Sequence, residues 1–401
     1  MNASIDLVAS MAGDMHAVLR EAADAGPLAV DPAMGATVLL RQHDVETLAR
    51  DPRLSGVGLT FFDLMGIDDG PLRDWYGRLM FTTEGGYHRR IRSAVQRAFG
   101  PRSVDALRDA AAEMATAAIG ASSREGGDLV PTCAPLATRM MCRLLGVPDA
   151  DVPTFAAWAD ALSPVFFIMT PEQVSAATEA ITELLDYADQ ITRRRAEDPG
   201  SDLITALIDP RVDGDHLTHE EVVMVIANLL VAGHDTLGSQ IPCSLLVALS
   251  HRDELAGIGT DERRLASAVA ETMRLEPSIP GIPRTAVDAI EVHGTTIPAG
   301  SIVWLSSAAA SRDATVWTDP HRFDPDRFTR PGTPRLLVFG AGPHFCLGTA
   351  LAKVTVEEIV RAALDADPAI RLADADAEIP WRVVLGRSPS RLQVKPAAFA
   401  A

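Results

Sequence analysis

The sequence has few aromatic residues, few cysteines and no excess of positive charge. Aromatic residues make up 5% of the 401 residues, so most of the core must be aliphatic. The net charge of −18 argues against a protein that follows nucleic-acid phosphates or binds anionic membranes in general. The four cysteines, at positions 133, 142, 243 and 346, lack the C-x-x-C spacing of zinc or redox sites. A reducing compartment is therefore favoured over a secreted one.

Signals for export or membrane insertion are also lacking. No basic region leads into an apolar stretch within the first twenty residues, so we expect no signal peptide. The longest apolar stretch, Val222 to Gly233, is interrupted by Asn228 and is too short to span a bilayer. Lys353 and Lys395 are the only lysines, whereas arginine and alanine abound, as in proteins from GC-rich bacterial genomes. We expect a bacterial, cytoplasmic protein without membrane association.

Helical patterns dominate the chain. Thr218-His-Glu-Glu221 matches a capping box and predicts a long apolar helix that begins there and runs to about Ser250. Pro242 lies inside this helix, lacks an N–H and should clash with the carbonyl of Gly238. We therefore expect a bend or a bulge in the helix at that point.

Strand patterns are few and lie mainly near residues 286–310 and 380–395. In the second region, Trp381–Leu385 and Arg391–Val394 are predicted to form a terminal hairpin. The chain shows no internal repeat, low-complexity tract or interdomain linker. We therefore expect a single domain, residues 1–401, of mainly α class with a minor β region.

The glycine-rich stretch Phe339-Gly-Ala-Gly-Pro-His-Phe-Cys-Leu-Gly348 is the most informative part of the sequence. Its three glycines allow the backbone to turn back and lie close to a flat partner. Cys346 precedes a predicted helix, whose N-terminus lowers the pKa of a thiol and favours the thiolate that binds a metal. From Cys346 alone, a buried structural cysteine in a tight turn would be the simpler interpretation.

This stretch resembles the haem loop of the cytochrome P450 family, F-G-x-G-x-H-x-C-x-G. The matching positions are Phe339, Gly340, Gly342, His344, Cys346 and Gly348. The resemblance implies a triangular, mainly helical fold around a buried haem b. It implies that Cys346 is the axial thiolate, which favours O–O cleavage by donating electron density to the iron. It also implies that Phe339 packs beside the sulfur and that His344 contacts a haem propionate.

Ala232-Gly-His-Asp-Thr236 lies midway along the long predicted helix and resembles the family's oxygen-binding segment, A-G-x-D/E-T. The resemblance implies that Gly233 leaves room for dioxygen, and that Asp235 and Thr236 deliver protons to it. Leu229 shares a helix face with Ala232, Gly233 and Thr236 by its 3–4 spacing. An alternative is that Thr236 only bonds back to the preceding turn.

Glu271-Thr-Met-Arg274 matches the family's E-x-x-R motif, and Pro325-Asp-Arg-Phe328 stands where the family has a P-E-R-F-like segment. The resemblance implies that Glu271, Arg274 and Arg327 form a buried ion-pair network that fixes the loop beneath the haem. This role is structural. Without the other motifs, an i, i+3 pair of this kind is more typical of a solvated helix face.

Two basic segments resemble the family's propionate-binding elements. His88 and Arg92 lie four residues apart, so both can point to one side of a helix. Arg284 belongs to Pro283-Arg-Thr-Ala286, which resembles a second such element. Either segment alone would be more typical of an ordinary basic surface.

The resemblance covers about Val38 to Val394 and implies a haem-thiolate monooxygenase. The expected reaction inserts one atom of dioxygen into an apolar small molecule, by hydroxylation or epoxidation, with electrons from NAD(P)H. No G-x-G-x-x-G motif follows a predicted strand, and no reductase domain is recognisable, so we expect ferredoxin and ferredoxin reductase as partners. The arginines considered as ferredoxin contacts are Arg89, Arg90, Arg97 and Arg102.

Two other functions remain open. A peroxygenase on the same fold would take oxygen from peroxide, but peroxide already carries the protons that Asp235 and Thr236 would deliver. A haem sensor or binding protein would need neither a proton relay nor a substrate cavity.

The substrate is not predicted by the sequence. The candidate pocket residues are Phe166, Leu229, Ile282 and Leu385. Apolar segments are more often core than contact surface, and the phenylalanines near 61 and 166 could equally pack against each other.

Overall fold

A computed structural model describes residues 2–100, 104–209, 216–366, 369–374 and 377–396. The helices are Leu7–Ala12, Met15–Ala25, Gln42–Leu48, Thr60–Leu64, Pro71–Tyr76, Gly85–Ala98, Arg108–Glu125, Val130–Cys133, Leu136–Leu145, Val152–Leu162, Pro171–Glu197, Leu203–Ile208, His219–Ser250, Glu262–Leu275, Ser307–Ala310 and Thr349–Leu364. The strands are β1 Ala3–Ser4, β2 Leu28–Asp31, β3 Ala36–Leu39, β4 Leu54–Ser55, β5 Gly127–Asp128, β6 Ile282–Ala286, β7 Ile290–Val292, β8 Thr295–Ile297, β9 Ile302–Leu305, β10 Ile370–Leu372, β11 Trp381–Val383, β12 Arg387–Pro389 and β13 Gln393–Pro396. The mainly α class with small sheets is confirmed.

The chain forms two compact units. The sheet unit consists of Met1–Leu54, Ala110–Ala134 and Thr236–Ala401, and the helical unit of Ser55–Asp109 and Pro135–Asp235. The single domain expected from the sequence stays a prediction.

The sheet unit is built on a mixed sheet with the strand order β1-β2-β3-β9-β6-β4. Because neighbouring side chains of a strand point to opposite faces, each central strand supplies two cores. Leu39 and Leu305, which are register partners, pack on one face with Leu337 and Ala341. The other face is covered by the two amino-terminal helices. The chain that leads into the cysteine loop therefore packs against one face of this sheet.

The helical unit has a core in which aromatic rings join neighbouring helices. Phe155, Trp158 and Tyr187 form one cluster, with ring centroids 5.0–5.8 Å apart, between helices Val152–Leu162 and Pro171–Glu197. Phe62 and Tyr76 form a second, at 4.5 Å. These aromatic contacts join helices that follow one another closely in the chain.

The long helix begins where the capping box predicted. Glu221 N–H donates to Thr218 Oγ1 at 3.2 Å, and Thr218 N–H donates to Glu221 Oε2 at 2.9 Å. The helix, His219–Ser250, has an apolar window with a mean hydropathy of 1.4, enough by length and composition to span a membrane. However, 72% of that window is buried inside the protein. These values are typical of a core helix.

The helix continues through Pro242 as one α-helical element. The predicted bulge is therefore wrong, and the bend stays a prediction. Ile241 and Cys243, on either side of the proline, are fully buried. Packing around the helix stabilises a backbone that the missing N–H would weaken in isolation.

The predicted terminal hairpin is also wrong in its pairing. Trp381–Val383 pairs with Arg387–Pro389, whereas Gln393–Pro396 pairs with Ile370–Leu372 and Gly127–Asp128. The sequence Arg-Ser-Pro resembles a turn, but it forms a strand whose first side chain binds residues distant in sequence. Arg387 donates to the carbonyls of Met11, at 2.8 Å, and Gly13, at 3.0 Å.

Arg387 also neutralises a buried carboxylate. It is 2% exposed, forms an ion pair with Glu276 and stacks on Trp381, 3.3 Å from the ring centroid. His16 Nε2 lies 3.0 Å from the second oxygen of Glu276. Burial alone would raise the pKa of Glu276, but His16 and Arg387 outweigh burial and hold this pKa below its usual range. The carboxylate is therefore ionised and depends on its cationic partner.

We predict that Arg387→Met destabilises the protein by about 3 kcal/mol or more at pH 7, because it leaves a buried charge without its partner. In the variant, burial raises the pKa of Glu276, so the carboxyl takes up a proton on acidification. In the wild type, the lowered pKa means that stability is lost as the pH falls. The difference in the free energy of unfolding between the wild type and the variant should therefore shrink from pH 7 towards about pH 4.

The measurement is urea unfolding followed by tryptophan fluorescence. Arg371→Met is the control, because Arg371 and its partner Asp253 are 50% and 83% exposed. Such a pair should contribute less than about 1 kcal/mol. An equal loss of free energy of unfolding in both variants, or a loss independent of pH, would contradict the role of Arg387 as the partner of the Glu276 carboxylate.

Candidate functional site

The cysteine loop is closed by its own backbone. Cys346 N–H donates to the carbonyl of Phe339 at 2.9 Å, and Gly340 N–H donates to Leu337 at 2.8 Å. Gly340 and Gly342 have φ angles of +72° and +70°, which side chains rarely adopt. Two residues after Cys346, Gly348 is the N-cap residue of helix Thr349–Leu364. The loop thus places the cysteine just before a helix N-terminus.

Cys346 differs from the other cysteines in its exposure. It is exposed, whereas Cys133, Cys142 and Cys243 are buried. Burial raises the pKa of all three buried thiols, to about 12 for Cys133 and Cys142. These three thiols therefore stay protonated, and Cys346 is the cysteine whose sulfur is accessible to a metal.

Gly342 fixes the position of the loop. A Cβ atom at this residue would overlap the carbonyl oxygen of Ala49 and lie 3.1 Å from Cγ of Arg50. The loop backbone is therefore in direct contact with the end of helix Gln42–Leu48, and only glycine fits there.

A concave site adjoins the loop. It is lined by Val45, Ala49, Ile282, Arg284, Leu305, Ser307, Leu337, Gly340, Ala341 and His344. The structure thus brings Arg284 and His344, predicted from different motifs, to one cavity. Arg284 is 5% exposed and donates to the carbonyl of Pro283 at 3.0 Å. Apolar walls with two N–H donors suit the edge of a flat apolar group that carries carboxylates.

The structure also brings together Glu271, Arg274 and Arg327. Arg274 donates to both oxygens of Glu271 at 2.7 Å, and Arg327 Nε lies 3.0 and 3.1 Å from the same oxygens. Glu271 and Arg274 are fully buried. This geometry is that of a structural ion-pair network, not of a solvated helix face.

The remaining N–H groups of the two arginines bind backbone carbonyls. Arg274 donates to Ser311 and Pro320 at 2.7 Å, and Arg327 donates to Thr318 at 2.7 Å. The network therefore orders the irregular segment 311–322, which lacks regular secondary structure to bind its carbonyls.

Gly233 lies against a neighbouring helix. A Cβ atom there would lie 2.6 Å from Cγ of Met141. The side chain of Met141, on helix Leu136–Leu145, therefore approaches this glycine closely, and the expectation that Gly233 leaves room for dioxygen stays a prediction. On the same helix, Ala232 is exposed and Leu229 and Asp235 are buried. Ala232 is therefore an exposed position in the largely buried middle of the helix.

Two further residues of this segment have partners that the sequence did not predict. His234 Nδ1 lies 2.5 Å from Thr138 Oγ1, and its Nε2 lies 3.0 Å from Asp160 Oδ1. The carbonyl of Thr236, which is half-buried, accepts a hydrogen bond from Ser278 Oγ at 3.1 Å. No motif marks His234, Thr138 or Ser278, because their partners are distant in sequence.

The helical unit holds the other predicted residues. His88 is 2% exposed and Arg92 is half-buried, one turn apart on helix Gly85–Ala98. Phe166 packs against Tyr76 and Phe81, with ring centroids 6.0 and 6.1 Å away. Phe166 is thus partly a core residue.

In the sheet unit, Ile282 and Leu385 are half-buried, Ile282 in the wall of the concave site and Leu385 in the turn between β11 and β12.

Comparisons with known proteins agree with this arrangement. A family model described as Cytochrome P450 matches residues 264–365. The chain is 32% identical to cytochrome P450 107B1 of Saccharopolyspora erythraea over 375 residues, 91% of this chain and 90% of the relative. It is 35% identical to mycinamicin IV hydroxylase/epoxidase of Micromonospora griseorubida over 315 residues, 77% of each. The crystal structure of CalO2 superposes with a TM-score of 0.89 at 26% identity and covers 99% of each chain.

The chain therefore belongs to the cytochrome P450 family. It is a monooxygenase that binds haem b, uses dioxygen and redox partners, and acts on a small molecule. The residues around Cys346 fit this cofactor, since an exposed thiol, a helix N-terminus and a cavity with an arginine and a histidine adjoin one another in the sheet unit.

We predict that Gly342→Ala lowers the free energy of unfolding by about 2–4 kcal/mol, because strain at positive φ adds to the overlap with Ala49. The haem content should fall with it. Gly332→Ala is the control, since Gly332 has a φ of +76° but no atom within 4 Å of a Cβ. It should lose only about 1 kcal/mol. Equal losses, measured by urea unfolding and haem absorbance, would show that the contact with Ala49 is unimportant.

Proposed function

We propose that Cys346 is the axial thiolate of haem b, in a monooxygenase that hydroxylates or epoxidises an apolar small molecule. The observation that carries the proposal is the exposed Cys346 thiol, held before a helix N-terminus and beside the cavity of Arg284 and His344. When bound, haem supplies the redox chemistry that activates dioxygen. The chain's own residues bind the cofactor, admit substrate and deliver protons.

Haem binding is assigned to the residues that the sequence motifs predict. Phe339, Gly340 and Gly348 shape the loop around Cys346, and Arg284 and His344 bind propionate. The proposal also assigns propionate binding to His88 and Arg92. His88 lies one helical turn from Arg92, so both side chains can bind one group, which supports this assignment.

Asp235 and Thr236 are assigned to proton delivery, and Ala232 to the face that meets the cofactor. Asp235 is 4% exposed, so its carboxyl is sheltered from bulk water, and Thr236 lies one residue further on. A carboxyl and a hydroxyl in this order can pass protons one at a time. This pair favours a monooxygenase over a peroxygenase or a haem sensor, neither of which needs a relay. Gly233, between Ala232 and Asp235, is assigned to the helix face that dioxygen approaches.

The substrate pocket is assigned to Leu229, Phe166, Ile282 and Leu385. Of these, Ile282 and Leu385 are half-buried, as expected for side chains beside a ligand. The relative mycinamicin IV hydroxylase/epoxidase is named for two reactions, and its name supports hydroxylation or epoxidation as the reaction of this protein.

The electron donor is assigned as a ferredoxin, reduced by NAD(P)H through a ferredoxin reductase. Two cations lie on the rings of the cysteine loop: Arg335 is 5.0 Å from the Phe345 centroid, and Lys353 is 5.9 Å from that of Phe339. They give an acidic protein a local positive charge beside Cys346. Of the arginines predicted from the sequence, Arg90 is paired with Glu221 and Arg102 lies outside the described residues.

We also assign the protein to the cytoplasm. The core position of the long helix supports this, because its apolar window packs against protein.

Carbon monoxide binding tests the central assignment. The reduced protein should show a strongly red-shifted Soret band that is absent in Cys346→Ala, because only a thiolate ligand causes that shift. Cys133→Ala, a buried cysteine outside the loop, should keep the band. A red-shifted band in Cys346→Ala, or a protein without haem, would overturn the proposal.

Thr236→Ala should lower the product formed per NADH several-fold and raise the hydrogen peroxide released, since proton delivery fails. Thr192→Ala is the control, because the Thr192 hydroxyl only bonds back to Ala188, at 2.7 Å. An unchanged product yield would remove Thr236 from the relay. Full product formation from peroxide alone would instead favour the peroxygenase.

A further inference from the structure

Ser278 binds three separate points of the sheet unit. Its hydroxyl donates to the carbonyl of Thr236 at 3.1 Å, and its backbone N–H donates to Gln240 Oε1 at 2.9 Å. Its carbonyl accepts from the backbone N–H of Arg387 at 2.7 Å. Every polar atom of a residue that is 3% exposed is therefore used. Two of the bonds join consecutive turns of the long helix, and the third joins the β11–β12 hairpin.

Gln240 strengthens this joint from the helix side. Its Nε2 donates to the carbonyl of Glu276 at 3.1 Å and to Ser244 Oγ at 3.1 Å. The side chain thus bonds the backbone on both sides of Pro277. Because Gln240 is buried and both ends of its amide are bonded, its position is fixed.

The hairpin turn is held against the same helix. A Cβ atom on Gly386 would lie 3.2 Å from Ser239 Oγ and 3.3 Å from the carbonyl of Ser278. The turn itself is closed by Val384 N–H, which donates to Gly386 at 3.0 Å. The turn therefore cannot shift along the helix without breaking the bond to Ser278.

These contacts join residues to which different roles are assigned above. Thr236 belongs to the proton relay, Leu385 precedes Gly386 in the hairpin turn, and Ile282 lies four residues after Ser278. A displacement of the hairpin turn, or of the loop after Ser278, would therefore be transmitted through the buried Ser278 to the helical turn that contains Thr236.

We propose that Ser278 is a positioning residue that fixes the Thr236 turn relative to the substrate-contacting segments at Ile282 and Leu385. The proposal rests on the function proposed above. Ser278 does not touch substrate or cofactor in this role. Its hydroxyl sets the position of the Thr236 carbonyl, and therefore of the hydroxyl on the same residue, when the neighbouring segments meet a ligand.

The first test is backbone hydrogen exchange of the haem-loaded enzyme. Ser278→Ala removes the hydroxyl but keeps both backbone bonds, so the fold should survive. We expect exchange to quicken about fivefold in segments 236–244 and 384–388, since one buried hydrogen bond is lost. Ser278→Thr keeps a hydroxyl and should restore most of the protection. Ser10→Ala is the control: Ser10 is also buried, and its hydroxyl donates to the carbonyl of Leu7 at 2.8 Å. Unchanged exchange in Ser278→Ala would overturn the proposal whatever the turnover.

The second test compares product formed per NADH in Ser278→Ala and Thr236→Ala, with carbon monoxide spectra confirming thiolate-bound haem in both. The proposal requires both variants to lose product yield and Ser278→Thr to recover it. If only Thr236→Ala loses yield, the relay stands but Ser278 does not position it. If neither loses yield, the relay assignment fails and the positioning role fails with it. A lost thiolate spectrum in Ser278→Ala alone would assign Ser278 to haem retention and overturn the proposal.

Discussion

The carboxylate of Glu271 is the point on which the sheet unit depends. Two arginines bind it without access to water, and their other N–H groups bind carbonyls between residues 311 and 322. A buried charge pair of this kind contributes little net stability but is costly to break. The ion-pair network matters chiefly for geometry, because it orders residues 311–322, which form no helix or strand. The chain reaches the cysteine loop only after this ordered segment.

The haem-loop motif and its companions were predictable because their chemistry is local. A cysteine loop needs glycines at fixed positions, and Gly340 and Gly342 do adopt positive φ. A capping box needs two residues three apart, and Thr218 with Glu221 forms one. The family and its fold class follow from such short patterns, and the comparisons confirm both.

Features that depend on distant residues were not predictable. The side chain of Arg387 is bound by Glu276, Met11 and Gly13, and none of them is near it in sequence. Likewise, no motif predicts that the side chain of Met141 packs against Gly233. Hydrogen bonds of Ser278 and His234 follow the same rule. A single sequence carries no signal for a contact whose partner is set by the tertiary fold.

The bond from Arg387 to the carbonyl of Met11 joins residues 376 positions apart. During synthesis, the amino-terminal helices therefore leave the ribosome long before the residue that completes their packing exists. The pairing of Ala36–Leu39 with Ile302–Leu305 imposes a similar delay on the central sheet. Until then, the apolar residues of these first elements lack their final cover, and such exposed apolar surface promotes aggregation. A chain truncated before Arg387 would retain the motifs of the family. It would lack the hydrogen bonds that join the end of the chain to its first helices.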